Sequence, residues 1–535
     1  MELTYHAFMK RATILFLLGL FLLLPLFRVF TRHPARARAP VFRLSLSSEP
    51  PTLDWTLATD GTSIRVIENL MEGLTQYDQE LRPVPSIAKQ WEVSDGGKRY
   101  LFHLREDVVW TDGRRVSAED FEYSWKRLLD PKTGAEYAYF LYDLVNAEEY
   151  NNGEVTDPTL VGVRALDRTT LEVRLKKPIV YFPSITTFTV TFPLRKDMVE
   201  KYADRWTDPA HLVTCGPFRL SEWRHEYRLT LSANDRYYGG RPQLEQVVFY
   251  VIEEDTTALT LYDTGDLDRV ALPPVAIPFY QARSDYRHGS FLRGYYYGFN
   301  TQKQPFDRVS VRQAFSQAID RSEFPNILKG GEIPATFWVP PGMPGFNPHV
   351  GLSFAPDAAR KKLAEAGYPG GRGFPPVHLA FNTDPTNLLI AENVQAQWKR
   401  NLGVEVQLEN LEWKVYLKRL KDDTPQIFRL GWGADYPDPD NFLGLFTTRS
   451  GNNNTHWGNP QYDALIVLGA SEPDPSHRQQ IYDQAQRILT EQDVPIVPLF
   501  VAAQNMLQRI SIKGLALNPL DVLYLKNVHF SEDAR

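Results

Sequence analysis

From Arg429 to Leu443 the chain reads Arg-Leu-Gly-Trp-Gly-Ala-Asp-Tyr-Pro-Asp-Pro-Asp-Asn-Phe-Leu. Arg429 to Asp435 alternates as a strand does, with successive side chains on opposite faces. One face carries Arg429, Gly431, Gly433 and Asp435; the other carries Leu430, Trp432, Ala434 and Tyr436 and reads as core. The first face is a cation, two glycines and an anion. Glycine weakens a strand and often marks the close approach of another backbone. An extended peptide is itself a zwitterion, so the strand reads as a template for one. Asp435 would take the amine and Arg429 would approach the carboxylate, with Pro437 and Pro439 stopping the strand. The same residues also fit a solvated sheet edge or a structural ion pair, since paired charges are as often structural as functional. The pattern alone leaves both readings open.

A chain of 535 residues does not close around one core, because beyond about 250–300 residues chains divide into domains. With 43% hydrophobic and 23% charged residues it has a globular make-up. Its net charge is -6 and no basic stripe runs through it, which argues against nucleic acid as a partner. Lys10 and Arg11 precede an apolar run from Ala12 to Phe27. That run is longer than a signal-peptide core of about 7–15 residues and shorter than the ~20 of a standard spanning helix. Ala35-Arg36-Ala37 and Ala37-Arg38-Ala39 resemble cleavage sites. Residues 1–39 therefore read as a signal peptide, or as a membrane anchor within residues 12–30 plus a linker. Arg28, Arg32, Arg36 and Arg38 follow the run and, taken alone, favour the reverse orientation. The single cysteine, Cys215, makes no internal disulfide or metal cluster and reads as a small buried side chain.

Val41–Leu46 alternates as an opening strand. Ser63 is placed to cap a helix to about Leu70. Leu81 to Trp91 reads as a turn and a short helix, and Tyr100–Leu104 and Val108–Trp110 as a hairpin. Ser117 reads as the N-cap of a helix with acids in its first turn. Strands at Leu379–Asn382 and Val404–Leu408 enclose a helix from about Leu388 to Arg400, an α/β pattern. Val494–Val501 reads as a buried strand, and the tail beyond Ile510 as a return to the first lobe.

Pro85-Ser86-Ile87-Ala88, Trp91, Phe102-His103-Leu104-Arg105, Trp110, Asp112-Gly113 and Ser117-Ala118-Glu119-Asp120-Phe121 resemble the signature region of the family 5 extracellular solute-binding proteins. These are the peptide-binding components of ABC importers. Tyr297-Gly298-Phe299-Asn300, Val311-Arg312-Gln313-Ala314, Ala359 to Tyr368 and Gly431-Trp432-Gly433-Ala434-Asp435-Tyr436 continue the likeness in order. The resemblance implies an α/β, periplasmic-binding-protein-like two-lobed fold, class II, with an extra domain. Lobe I would comprise residues 41–72, 195–293 and 504–535, the extra domain 73–194, and lobe II 294–503. The resemblance further implies that Asp435 binds the α-ammonium of a short peptide and that Leu430, Gly431, Trp432 and Gly433 pair with its backbone. Thr59, Asp60 and Gly61 would pair from the other side. Trp413 and Tyr137 would line side-chain pockets, and Arg429 would meet the carboxylate of short peptides. Main-chain pairing of this kind binds without reading side chains. Two positions depart from the pattern. Asn387 stands about where relatives use a His near the ligand carboxylate, and Gly298 replaces a Glu, which bears on charge preference.

No His-Glu-x-x-His, Gly-x-Ser-x-Gly, P-loop or Cys-x-x-Cys occurs. Asp435, Asp438 and Asp440 raise a metal site or a glycosidase-like carboxylate pair, but the interleaved prolines favour a solvated turn. The expectation is an extracytoplasmic or periplasmic binding component, not an enzyme, with no cofactor or metal. It would be a monomer that passes short oligopeptides to an ABC permease. The alternatives are the same fold binding a nickel chelate, sugar or haem, or serving as a tethered sensor or chaperone.

Overall fold

The computed structural model describes residues 40–531; the N-terminal apolar run and its cleavage sites lie outside them. No helix among the described residues is long and apolar enough to cross a membrane.

One sheet threads both halves of the molecule. Its strands lie in the order Val406–Leu411, Val377–Asn382, Ile427–Gly433, Tyr286–Phe299, Ile496–Gln508, Arg269–Ala271, Val41–Leu46, Gln246–Val251, Arg228–Ala233 and Phe218–Arg224. Val41–Leu46 runs parallel to Gln246–Val251. In the other half Val377–Asn382 runs parallel to Val406–Leu411, with helix Pro385–Leu402 as the crossover that parallel strands require. Tyr286–Phe299 and Ile496–Gln508 pair antiparallel through the middle and belong to both halves, and their ladder is interrupted between Ser290 and Gly294.

The cores follow from this layout. One cluster gathers Phe42, Leu44, Phe102, Trp125, Phe182 and Val247. In the other half Tyr295, Tyr297 and Phe299 enter one cluster, while Leu292 and Tyr296 enter a second. A strand sends alternate residues to opposite faces, so these are the two faces of the sheet. Residues 73–194 carry an antiparallel sheet of Ala88–Ser94, Arg99–Leu104, Thr170–Arg174 and Val163–Asp167. Helix Ala118–Leu129 buries Phe121, Trp125 and Leu128, a helical stripe at i, i+4 and i+7. The buried side chains of this region run on into those of the first half.

Several local expectations change. Asp60, not Ser63, caps helix Gly61–Leu70: Oδ1 accepts the Ser63 N–H at 2.8 Å and Oδ2 its hydroxyl at 2.7 Å. The short helix expected within Leu81 to Trp91 is replaced by strands, Pro83–Pro85 and the start of Ala88–Ser94. Its two prolines lack the N–H a helix needs and hold their predecessors extended. Val108–Trp110 makes one bridge, Val109 to Arg115, instead of a strand. Ser117 caps its helix as expected, with the Asp120 carboxylate accepting the Ser117 N–H at 3.0 Å. The tail does return to the first half. Asn69 donates to the Leu523 carbonyl at 2.9 Å and accepts from Leu525 N–H at 3.0 Å, and Lys526 pairs with Glu72 at 2.7 Å.

Candidate functional site

The two edges of strand Ile427–Gly433 differ. One is paired throughout, from Phe299 opposite Ile427 to Arg293 opposite Gly433. The other meets Val377–Asn382 only at Ile427 and Phe428. From Arg429 onward no described strand covers it. Ala434 N–H donates to the Leu292 carbonyl at 2.8 Å. By the period of two, the backbone groups of Leu430 and Trp432 also face the paired edge, and those of Gly431 and Gly433 face the open one. The side chains of Leu430 and Trp432 pack against the core. Of the four residues expected to pair with a guest strand, the two glycines therefore offer the edge.

Asp435 follows this edge into a cavity of about 220 Å³. Gly433, Ala434 and Asp435 form one wall, and Thr59, Gly61 and Arg65 another. Tyr137, Phe188, Phe291, Arg293 and the tail at Leu520–Val522 also line it. Asn441 fixes the turn: its Oδ1 accepts the Asp435 N–H at 3.1 Å and the Trp432 indole N–H at 2.9 Å. Its Nδ2 donates to Asp435 Oδ2 at 3.3 Å. Asp435 is half-buried, and burial pushes its carboxyl up to about 7. Hydrogen bonds from Asn441 and Tyr137 oppose that shift and are outweighed, and no cation contributes. Glu68, on another wall, is also pushed up to about 7 by burial, while accepting the Leu523 N–H at 3.3 Å. Arg65 is already committed to Asp521 at 2.5 Å.

The remaining expected residues fall into two groups. Asp60 spends its carboxylate on the helix cap, so only the backbone around it is available to the cleft. Arg429, Asn387 and Trp413 gather at the far end of the strand. Arg429 lies 4.3 Å over the Tyr295 ring and donates to Asn382 Oδ1 at 3.3 Å, and its buried Nε has no partner. Asn387 is 3% exposed. Its Oδ1 accepts the Tyr295 hydroxyl at 3.0 Å, and its Nδ2 donates to the Asn382 carbonyl at 3.1 Å and to Asn382 Oδ1 at 3.0 Å. Both ends of the amide are engaged within the protein, and Asn382 Oδ1 accepts from Asn387 and from Arg429 alike. Trp413 is 47% exposed beside Tyr416, whose hydroxyl donates to the Arg429 carbonyl. Six strand residues span roughly 20 Å, so Asp435 and Arg429 mark separate stations.

Two further expectations change. At Gly298 an added Cβ would stand 2.2 Å from Phe428 Cζ, so a buried ring fills the space of the missing Glu. The acids after Asp435 are not a solvated turn. Asp438 is 6% exposed and bidentate with Arg478, both contacts at 2.7 Å. Asp440 accepts the Tyr181 hydroxyl at 2.8 Å and the Tyr436 hydroxyl at 3.3 Å. The three carboxylates thus have separate partners. Sequence reading misses Arg293, Arg65, Glu68 and the tail, since none sits in a local pattern; each reaches the cavity through a long-range contact.

Residues 82–454 match the family described as bacterial extracellular solute-binding proteins, family 5. The oligopeptide-binding protein OppA of Bacillus subtilis is 34% identical over 504 residues, which is 91% of this chain and 92% of that protein. The crystal structure of a periplasmic oligopeptide-binding protein from Borrelia burgdorferi superposes with a TM-score of 0.81 at 34% identity, covering 92% of this chain and 100% of that one. The murein tripeptide binding protein MppA of Escherichia coli gives a TM-score of 0.82 at 32% identity, covering 92% and 99%.

Proposed function

The chain belongs to the bacterial extracellular solute-binding proteins of family 5, two-lobed α/β proteins, and we propose that it captures short peptides outside the cytoplasmic membrane for an ABC permease. The observation that carries this reading is a strand edge left open from Arg429 to Gly433 that runs into Asp435, a cavity carboxylate with no cation beside it among the described residues. A peptide adds as a strand along Gly431 and Gly433, with the backbone around Thr59–Gly61 on its other side. Its ammonium meets Asp435 in a charge-assisted hydrogen bond of about 1.5–3 kcal/mol.

In this reading residues 41–72, 195–293 and 504–535 are lobe I, 73–194 the extra domain and 294–503 lobe II. The lobes hinge at the ladder break between Ser290 and Gly294. The stacking of Tyr181 on Tyr436, with centroids 5.2 Å apart, and the Val180 N–H to Ala470 carbonyl bond at 3.2 Å hold the cleft shut. Ala12 to Phe27 serves as the export signal or tether. The protein acts as a monomer and breaks no bond in its ligand.

Calorimetry with Ala-Ala-Ala and its N-acetylated form tests the reading. The free amine is expected to bind at least tenfold more tightly. Equal affinity for the two, or no binding of any peptide, would remove its basis.

A further inference from the structure

Arg293 is a cation of the cleft with no counter-ion among the described residues. It lies within the ladder break between Ser290 and Gly294, where strand Tyr286–Phe299 passes between the two halves. The flanking backbone is pinned: Leu292 N–H donates to the Pro519 carbonyl at 2.8 Å, and the Leu292 carbonyl accepts Ala434 N–H at 2.8 Å. Arg293 stands opposite Gly433 across the sheet, on the face that Gly433 shares with Gly431 and Asp435. Its guanidinium rests 4.3 Å over the Phe291 ring. A Cβ at residue 433 would come 3.4 Å from its Nε, so the glycine leaves the floor on which the guanidinium lies.

The other cation of the cavity is engaged. Arg65 is paired with Asp521. Glu68 and Asp435 are both pushed up to about 7 by burial. The cations Arg429 and Arg65 and the carboxylate of Asp521 lie near enough to act on the Arg293 guanidinium through space. Among the described residues no carboxylate lies within ion-pair range of Arg293, although it lines the cavity. Arg293 is exposed at the cleft, so its guanidinium is open to an anion that the ligand delivers, and exclusion of water around such a pair strengthens it.

Position tells which part of the ligand supplies it. Gly433 precedes Asp435 by two residues, roughly 7 Å of strand. That is about the distance from a peptide's ammonium to an acidic first side chain, or to the carboxylate of a dipeptide. We propose that Arg293 is a specificity-determining residue that selects ligands carrying a carboxylate within one or two residues of the free amine. This inference rests on the peptide-binding reading above. The Arg429 station lies too far along the strand to serve that group.

Calorimetry on the full chain separates the two sources of the carboxylate. One arm compares Glu-Ala-Ala with Gln-Ala-Ala; the other compares Ala-Ala with Ala-Ala-amide. A preference of about tenfold or more for the charged member of either pair is expected, and the arm in which it appears names the source. Arg293→Gln should bring that ratio close to one, Arg293→Lys should keep part of it, and Arg293→Glu should shift preference toward Lys-Ala-Ala. Equal affinities within both pairs for the unaltered protein would overturn the proposal while leaving peptide binding intact. So would a ratio that survives Arg293→Gln. If no free-amine peptide binds, the peptide reading itself fails and the Arg293 role falls with it.

Discussion

Tyr181 donates its hydroxyl to Asp440 Oδ2 at 2.8 Å, joining two side chains 259 residues apart across the cleft. Tyr436 completes the contact from the Asp440 side, its ring stacked on Tyr181 at an interplanar angle of 13° and its hydroxyl on the same carboxylate. Burial, reinforced by the neighbouring Asp438, pushes Asp440 up to about 6, and the Tyr181 bond opposes that shift. The contact between Tyr181 and the segment from Tyr436 to Asp440 is therefore polar as well as aromatic.

Removing that hydroxyl tests its part in closure. Tyr181→Phe keeps the ring stack and loses one buried hydrogen bond, a change of about 1–2 kcal/mol. Peptide affinity should fall about five- to thirtyfold, and solution scattering should report a more open mean shape. An unchanged dissociation constant would mean that the contact does not contribute to closure.

Asp435 gives the sharpest binding test. Asp435→Ala should weaken free-amine peptides by at least about tenfold, equivalent to roughly 1.4 kcal/mol. It should also narrow the gap between a peptide and its N-acetylated form. Calorimetry of both ligands on both proteins decides it; a gap of undiminished size would place the ammonium elsewhere.

The same carboxyl makes binding depend on pH. In the empty cleft Asp435 sits at about 7, and a bound ammonium favours its ionised form and lowers that value. Affinity should be full above about pH 7 and fall as pH drops through it, approaching tenfold per unit. Asp435→Asn should flatten this part of the profile, leaving the Glu68 contribution. Stability of the ligand-free protein runs the other way. The folded carboxyl holds its proton to about 7, against an ordinary value of 3.8. Between those values the folded form binds the extra proton, so stability declines as pH rises across that window. Thermal unfolding of the empty protein at pH 5 and pH 8, with Asp435→Asn as reference, measures it.

Arg478 and Asp438 supply a test of stability. Both are buried and bidentate. Arg478→Ala strands the Asp438 carboxylate in the interior and should cost about 3–5 kcal/mol. Denaturant unfolding should show the loss. Asp438→Asn with Arg478→Met should recover part of it, because a buried ion pair replaced by matched neutral groups is far less costly than one that is broken.

Much of this protein is written locally. The alternation from Arg429 to Tyr436, the capped helix at Ser117 and the spaced motifs from Pro85 to Tyr436 need only neighbouring residues to be recognised. They led to the family, the strands and Asp435. Local pattern failed where two neighbouring side chains could do the same work, as with Ser63 against Asp60 for the cap. It also failed at Asp438, which looked solvated until Arg478 was placed beside it. The tertiary structure alone decided that one edge of Ile427–Gly433 is open, that Arg293 lies over Gly433 with no counter-ion among the described residues, and that Glu68 and Asp521 share a cavity with Asp435. Periodicity and capping act over a few residues, whereas strand register, ion pairing and burial depend on which distant segments meet, and in this chain those partners lie up to several hundred residues apart.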